Sequence, residues 1–317
     1  MIKLFITGIA GMLGSNLAYA LSDEFKISGA DRNGCKLKKG CSYVIDLTDW
    51  EELKKVLIKE SPDVIIHTAA AVNVDRCEKE HEYAERMNKE LTEYICHLGK
   101  KIGSKIIYIS TDAVFDGKKQ GLYEETDRPN PINVYGQTKW QGEIAALKDS
   151  RNLILRTNIY GYNVRDKRSF GEWVTDGLRE GNTLNMFTDI QFSPILVNEL
   201  AEIIKKAIRK DLSGVYHACG TGAISKYDFG VFLKKIFGFQ EGQIVKSKSS
   251  EFNFVAPRSR NMGMNNKKIS EELQIKISTP EESIILFKEL YDKNYSDKLK
   301  SFCGYGGKNE DRESVDN

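Results

Sequence analysis

What the chain lacks narrows it first. No apolar run approaches the roughly 20 residues that a membrane-spanning helix needs, so no membrane partner is expected of these 317 residues. The opening stretch from Met1 breaks at Gly8 with no cleavage-type ending, which reads as a buried first strand rather than a signal peptide. Neither charge sign dominates: 47 basic and 45 acidic side chains are mixed along the sequence. A nucleic-acid binder would carry a basic stripe, so no nucleic-acid partner is expected. There are only six cysteines, none in a C-x-x-C pair, and four scattered histidines. No metal site is therefore expected. Unpatterned cysteines in a long chain fit a reducing, cytoplasmic setting.

What is present is an ordinary globular balance, 40% hydrophobic and 29% charged. That length supports one large α/β unit or two domains sharing a cleft. The first half alternates short apolar runs with helical patterns. Strands are predicted over 3–7, 25–30, 43–45, 63–67, 105–109 and 153–156, and helices over 16–21, 49–58, 82–102 and 135–146. Continuous apolar strands alternating with helices mean crossover connections and a doubly wound parallel sheet covered on both faces, a Rossmann arrangement. After about residue 160 the loops lengthen, and helices dominate at 199–209, 226–237 and 280–291, with returning strands at 184–187 and 214–217. The expected organisation is a dinucleotide-binding domain over 1–160, interleaved with a smaller substrate-binding region over 161–292. The polar segment 293–317 is expected to be a disordered tail.

The glycine turn Gly8-Ile9-Ala10-Gly11-Met12-Leu13-Gly14 lies between a strand and a helix. Glycines there let backbone N–H groups, those of Gly11, Met12 and Leu13 among them, approach a pyrophosphate at a helix N-terminus, and Gly14 lets helix and strand pack closely. Asp31, at the end of the second strand, is placed to accept hydrogen bonds from the adenosine ribose. It favours NAD(H), while Arg32 beside it would hold the 2′-phosphate of NADP(H). Asp46 and Leu47 are placed at the adenine, and the small residues Thr68, Ala69 and Ala70 let the cofactor lie against the backbone.

Tyr135 and Lys139 form a Y-x-x-x-K pair, and residues i and i+4 share a helix face. An ammonium beside the phenol is expected to lower the phenol's pKa and make it a proton donor to a carbonyl. Lys139 is also placed to hold the nicotinamide ribose. Thr111, in Ser110-Thr111-Asp112 at the end of the fifth strand, is placed to orient the substrate carbonyl, since ligands of open parallel sheets bind beyond the strand ends.

Together these motifs resemble the extended short-chain dehydrogenase/reductases. The run from Ser110 to Gly117, then Tyr123-Glu124-Glu125 and the stretch from Pro129 to Gly136, is similar to the dTDP-4-dehydrorhamnose reductase subfamily, as is the segment from Ala256 to Asn265. That group also includes the regulatory β subunit of methionine adenosyltransferase. The resemblance implies Thr111, Tyr135 and Lys139 as a catalytic trio that reduces a 4-keto group on a nucleotide-linked 6-deoxysugar. It implies sugar or diphosphate contacts near Val72, Ala113, Arg168 and Arg258, with Arg165, Lys167 and Arg260 as further cationic candidates. The pattern departs from the family at Ala113, where a Tyr is usual, at 157–161, at 189–195 and at Ala256. Two other readings stay open: a sugar-nucleotide epimerase or dehydratase, although Asp112-Ala113 lacks the dehydratases' usual Asp-Glu pair, and a non-catalytic cofactor-binding subunit. A homodimer is compatible with each.

Overall fold

The computed structural model describes residues 1–305. Its first half runs β1 (Lys3–Thr7), α1 (Met12–Leu21), β2 (Lys26–Asp31), β3 (Cys41–Val44), α2 (Trp50–Glu60), β4 (Val64–His67), α3 (Val74–Lys79), α4 (His81–Glu85), α5 (Leu91–Ile102), β5 (Lys105–Thr111), α6 (Val134–Ala146) and β6 (Leu153–Thr157). The second half adds β7 (Ile159–Tyr160), α7 (Phe170–Arg179), β8 (Thr183–Phe187), β9 (Gln191–Phe192), β10 (Ile195–Leu196), α8 (Val197–Arg209), β11 (Gly214–His217), β12 (Ile224–Ser225), α9 (Lys226–Phe237), β13 (Gln243–Ser247), β14 (Asn261–Met262), α10 (Lys267–Leu273), α11 (Pro280–Asp292) and α12 (Tyr295–Phe302).

Seven parallel strands form the central sheet in the order β11-β6-β5-β4-β1-β2-β3. The order reverses between β1 and β4, which opens a crevice at their carboxyl ends, the ligand-binding position of doubly wound sheets. Alternate side chains along each strand serve two cores. Leu4, Ile6, Ile66, Ile107, Leu153 and Leu155 join the core that α1 and α8 cover. Phe5, Ile65, Ile106, Tyr108 and Ile154 join the one that α2 and α5 cover. Both faces are dry, which is why these strands are apolar without a break. The halves interleave through α8 and β11, which return from beyond residue 160 to pack on α1 and to edge the sheet. Three small pairings follow in the second half, β7 with β10, β8 with β13, and β9 between β12 and β14, and Ile159 of β7, Asn185, Met186 and Phe187 of β8 and Met262 of β14 line the crevice.

Two expectations fail here. The helix over 82–102 is interrupted by a π turn at Arg86–Glu90, between α4 and α5. The tail expected to be disordered from 293 instead forms α12, which docks on α1. Tyr295, Leu299 and Phe302 are buried, at a spacing that puts them on one helical face. The Tyr295 hydroxyl donates to Asn16 at 2.8 Å, and Tyr19 meets the rings of Tyr295 and Phe302 edge-on. Three apolar anchors supply enough burial to hold this short helix. The rest of that expectation, over 306–317, lies outside the described residues.

Candidate active site

A cleft of about 1050 Å³ runs along the carboxyl ends of β1, β2, β4 and β5 and continues under the second half of the chain. At one end is the glycine turn. Gly8 adopts φ +71, in the left-handed region, and a Cβ there would sit 3.0 Å from the Ala69 backbone. A Cβ on Gly14 would lie 2.2 Å from the Gly8 carbonyl oxygen, so α1 reaches this turn only with glycine at that place. Gly14 stands behind the cleft wall, while Gly8, Gly11, Met12 and Leu13 line it. The start of α1 is bare. Gly11 is its N-cap and supplies no side-chain oxygen. Asp49, Asn73, Asn133, Ser169, Ser225 and Thr279 cap α2, α3, α6, α7, α9 and α11, while α4, α5, α8, α10 and α12 also start without a side-chain cap but do not open on the glycine turn. The first-turn N–H groups of α1 are thus left for an anion, together with the positive end of the helix dipole.

Asp31 closes β2 at the cleft, and one of its carboxylate oxygens accepts from the Asn33 backbone and side-chain nitrogens at 2.8 and 3.1 Å. Its orientation is fixed before any ribose arrives. Arg32 lines the same corner. Asp46 and Leu47 line the next bay, but Asp46 accepts from the Thr48 backbone N–H and hydroxyl at 2.8 Å each, and these bonds hold its carboxyl below the usual range. The Thr68 hydroxyl donates to the Thr7 carbonyl at 2.6 Å. What Thr68, Ala69 and Ala70 offer the cleft is therefore backbone and methyl surface. An uncapped helix start, a glycine cradle and a buried carboxylate at the second strand fit a dinucleotide.

Thr111, Tyr135 and Lys139 meet at the middle of the cleft. Asn133 caps α6 by accepting from the Gly136 N–H at 2.8 Å, which fixes Tyr135 in the first turn. The Thr111 hydroxyl accepts from the Ala113 N–H at 3.2 Å and donates to Asp112 at 3.1 Å. Lys139 behaves differently from the expectation. Its ammonium donates to the Ile109 carbonyl at 2.7 Å, inside the end of β5, and sits over the Tyr108 ring at 4.2 Å. Burial pushes it down to about 7, with Glu143 pushing back. The Tyr135 phenol is not lowered. Burial raises it, partly offset by a hydrogen bond with Thr111, and the Asp112 carboxylate raises it further. Desolvation of the phenolate outweighs a lysine whose charge is itself reduced and turned towards a carbonyl.

The sugar-side candidates divide. Val72 and Ala113 line the cleft, Val72 half exposed. Arg168 lines it too, but is paired with Asp176 at 2.9 Å and Glu180 at 3.4 Å. Arg165 and Lys167 line it, while Arg260 does not. Arg258 donates one amino group to Asp75 at 2.8 Å and lies over the Phe254 ring at 4.8 Å; its other amino group is buried without a partner among the described residues. That unsatisfied donor at the cleft wall suits an anionic oxygen.

Comparison with known proteins agrees with this geometry. Residues 2–291 match the model of the RmlD substrate binding domain. The chain belongs to that family. It is 29% identical over 285 residues to the "Probable low-salt glycan biosynthesis reductase Agl14" of Haloferax volcanii, covering 88% of this chain and 95% of the relative. It is 30% identical over 246 residues to a dTDP-4-dehydrorhamnose reductase of Aggregatibacter actinomycetemcomitans, 74% of this chain and 78% of the relative. Among solved structures it superposes on the dTDP-4-dehydrorhamnose reductase of Bacillus anthracis in complex with NADP, with TM-score 0.82, 28% identity, 91% of this chain and 99% of that one. The RmlD-type fold, the Rossmann sheet and a nicotinamide-dinucleotide oxidoreductase character follow.

In this RmlD-family chain two supporting groups escaped the sequence reading. Asn88, in the π turn, accepts from the Ala71 N–H at 2.8 Å and donates to the Ala71 carbonyl and the Thr138 hydroxyl, each at 3.1 Å. It ties the small-residue segment to the helix that carries Tyr135, a use of a π turn next to a functional site. Glu143, one turn beyond Lys139, accepts from two of the three guanidinium nitrogens of buried Arg156 at 2.9 and 2.7 Å and from the Ser110 hydroxyl at 2.5 Å. The Tyr135, Lys139, Glu143 spacing of four was the available signal for Glu143; Asn88 left none.

Proposed function

We propose that this chain reduces the 4-keto group of a nucleotide-linked 6-deoxysugar, as an NAD(P)H-dependent reductase of the dTDP-4-dehydrorhamnose reductase kind serving surface polysaccharide or glycolipid synthesis. The observation that carries this reading is the meeting of Thr111, Tyr135 and Lys139 midway along a cleft whose one end is built for a dinucleotide. A reduced nicotinamide, when bound, supplies the hydride to the carbonyl carbon. Tyr135 gives its phenolic proton to the carbonyl oxygen. A phenol pushed up by burial keeps that proton until charge develops on the oxygen. Thr111 orients the carbonyl, and Lys139, with one N–H committed to the Ile109 carbonyl, has its remaining donors for the nicotinamide ribose. The orphaned Arg258 amino group takes a diphosphate oxygen. Asp31 favours NAD(H), with Arg32 the group that would admit NADP(H). Ala113 presents only a methyl beside Asp112, so no second acid stands next to Thr111 to expel water, which argues against a dehydratase. Absorbance at 340 nm with NADH or NADPH and a panel of nucleotide-linked 4-keto-6-deoxysugars tests the reading. Stoichiometric loss of signal with one of them is expected; cofactor binding without consumption across the panel would overturn it.

A further inference from the structure

Lys226 opens α9 at the wall of the cleft, and nothing in the motifs draws attention to it. Its Ser225 neighbour caps the helix, and its backbone N–H donates to the Ile190 carbonyl at 3.1 Å, so the main chain there is fixed. The side chain passes between two rings. Its ammonium lies 3.3 Å from the centroid of Phe192 and 4.1 Å from that of Phe170. Such a seat is favourable for a cation, but rings do not accept its N–H groups as an oxygen would. Among the described residues the ammonium has no hydrogen bond and no ion pair.

Asp112 lines the same cleft. This carboxylate is buried, accepts from Asn158 at 2.5 Å and from the Thr111 hydroxyl at 3.1 Å, and adjoins the residue that orients the carbonyl. The two charges influence one another: burial pushes Lys226 down to about 7 while Asp112 pushes it back up. Yet no ion pair closes between them. A part-buried lysine and a buried carboxylate that line one cleft and sense each other's charge without pairing offer a donor and an acceptor to the same ligand. A carboxylate ligand would be repelled by Asp112. A hydroxyl satisfies both, accepting from the ammonium and donating to the carboxylate. The short Ala113 side chain keeps that corner open.

We propose that Lys226 and Asp112 form a subsite that grips the hydroxyl on the sugar carbon next to the reacting carbonyl, which makes Lys226 a specificity-determining residue. The proposal rests on the 4-ketoreductase reading above. In a 4-keto-6-deoxysugar the reacting carbon has two ring neighbours. C5 carries only a methyl group besides the ring oxygen, so the hydroxyl in question is that on C3.

The test compares a nucleotide-linked 4-keto-6-deoxysugar with its 3-deoxy counterpart, by kcat/KM and, separately, by calorimetric affinity. The wild type should prefer the 3-hydroxy sugar by roughly ten- to hundredfold, the worth of a hydrogen bond to a charged group. Lys226→Met, which fits between the two rings, should compress that preference to within about threefold, and Lys226→Arg should retain part of it. Equal handling of the two sugars by the wild type, or an unchanged preference in Lys226→Met, overturns the proposal. If Lys226→Met does not fold, Lys226→Leu carries the same comparison, and an unchanged preference there overturns the proposal. Discrimination in binding with no turnover of either sugar would overturn the reductase reading while leaving the subsite standing.

Discussion

The two ends of the cleft are built by different means. The end proposed for the cofactor comes from successive β-α units within the first 111 residues, and what it presents to the cleft is mostly backbone: the uncapped start of α1, the Gly8 turn, and the methyl and main-chain surface of 68–70. The sugar end draws on side chains from widely separated segments, among them Asp112, Asn158, Arg168, Lys226 and Arg258. A dinucleotide pyrophosphate is the same in every enzyme, so a main-chain cradle serves it through many sequences. A sugar differs from enzyme to enzyme, and only side chains tell one hydroxyl pattern from another. The departures from the family pattern at Ala113, 157–161 and 189–195 fall at this second end.

The widest gap between the two ends is expected from Tyr135→Phe. It should lower turnover by roughly a hundred- to ten-thousandfold, the span of general acid catalysis, while NAD(P)H affinity, read by fluorescence titration, stays within about twofold because the ring and the α6 cap remain. Near-wild-type turnover would mean that another group gives the proton. The next effect is confined to the sugar end. Arg258→Ala should raise KM for the nucleotide sugar by roughly tenfold or more, the worth of a charge-assisted bond to a phosphate oxygen, with cofactor affinity unchanged. Were cofactor affinity to fall instead, Arg258 would belong to the other end, and the division between backbone and side-chain recognition would lose its best cationic example.

The same division explains what the sequence made legible. The parallel sheet showed itself because β1, β4, β5 and β6 are apolar on both faces, a pattern that few other arrangements demand. The glycine turn showed itself because only glycine meets the 2.2 Å approach behind Gly14. Thr111 could be named because it ends β5, and Tyr135 and Lys139 because they stand four apart on α6, within a pattern that resembles the family's. How Lys139 is held could not, because the partner is a main-chain oxygen of Ile109 set by the docking of α6 on β5. Lys226 looks like a solvated lysine at a helix start until tertiary packing brings Phe170 and Phe192 around it. The α12 helix was hidden for a related reason: its three apolar anchors are diluted by polar residues, and their burial depends on a surface of α1 that lies some 280 positions earlier.

The smallest expected effect probes a side chain at the cofactor end. Asp31 is held by Asn33 with one oxygen committed, which leaves the other free for an adenosine ribose bound there. With NAD(H), that carboxylate accepts from the ribose hydroxyls; with NADP(H), it opposes the 2′-phosphate, and only Arg32 compensates. Asp31→Ala removes the attraction and the repulsion together, so affinity for NADH should fall while affinity for NADPH should hold or rise. The ratio of kcat/KM for the two cofactors should move towards NADPH by roughly five- to tenfold. An unchanged ratio would mean that the ribose is read by backbone, like the pyrophosphate beside it, and the contrast between the two ends would then be sharper than the structure alone makes it.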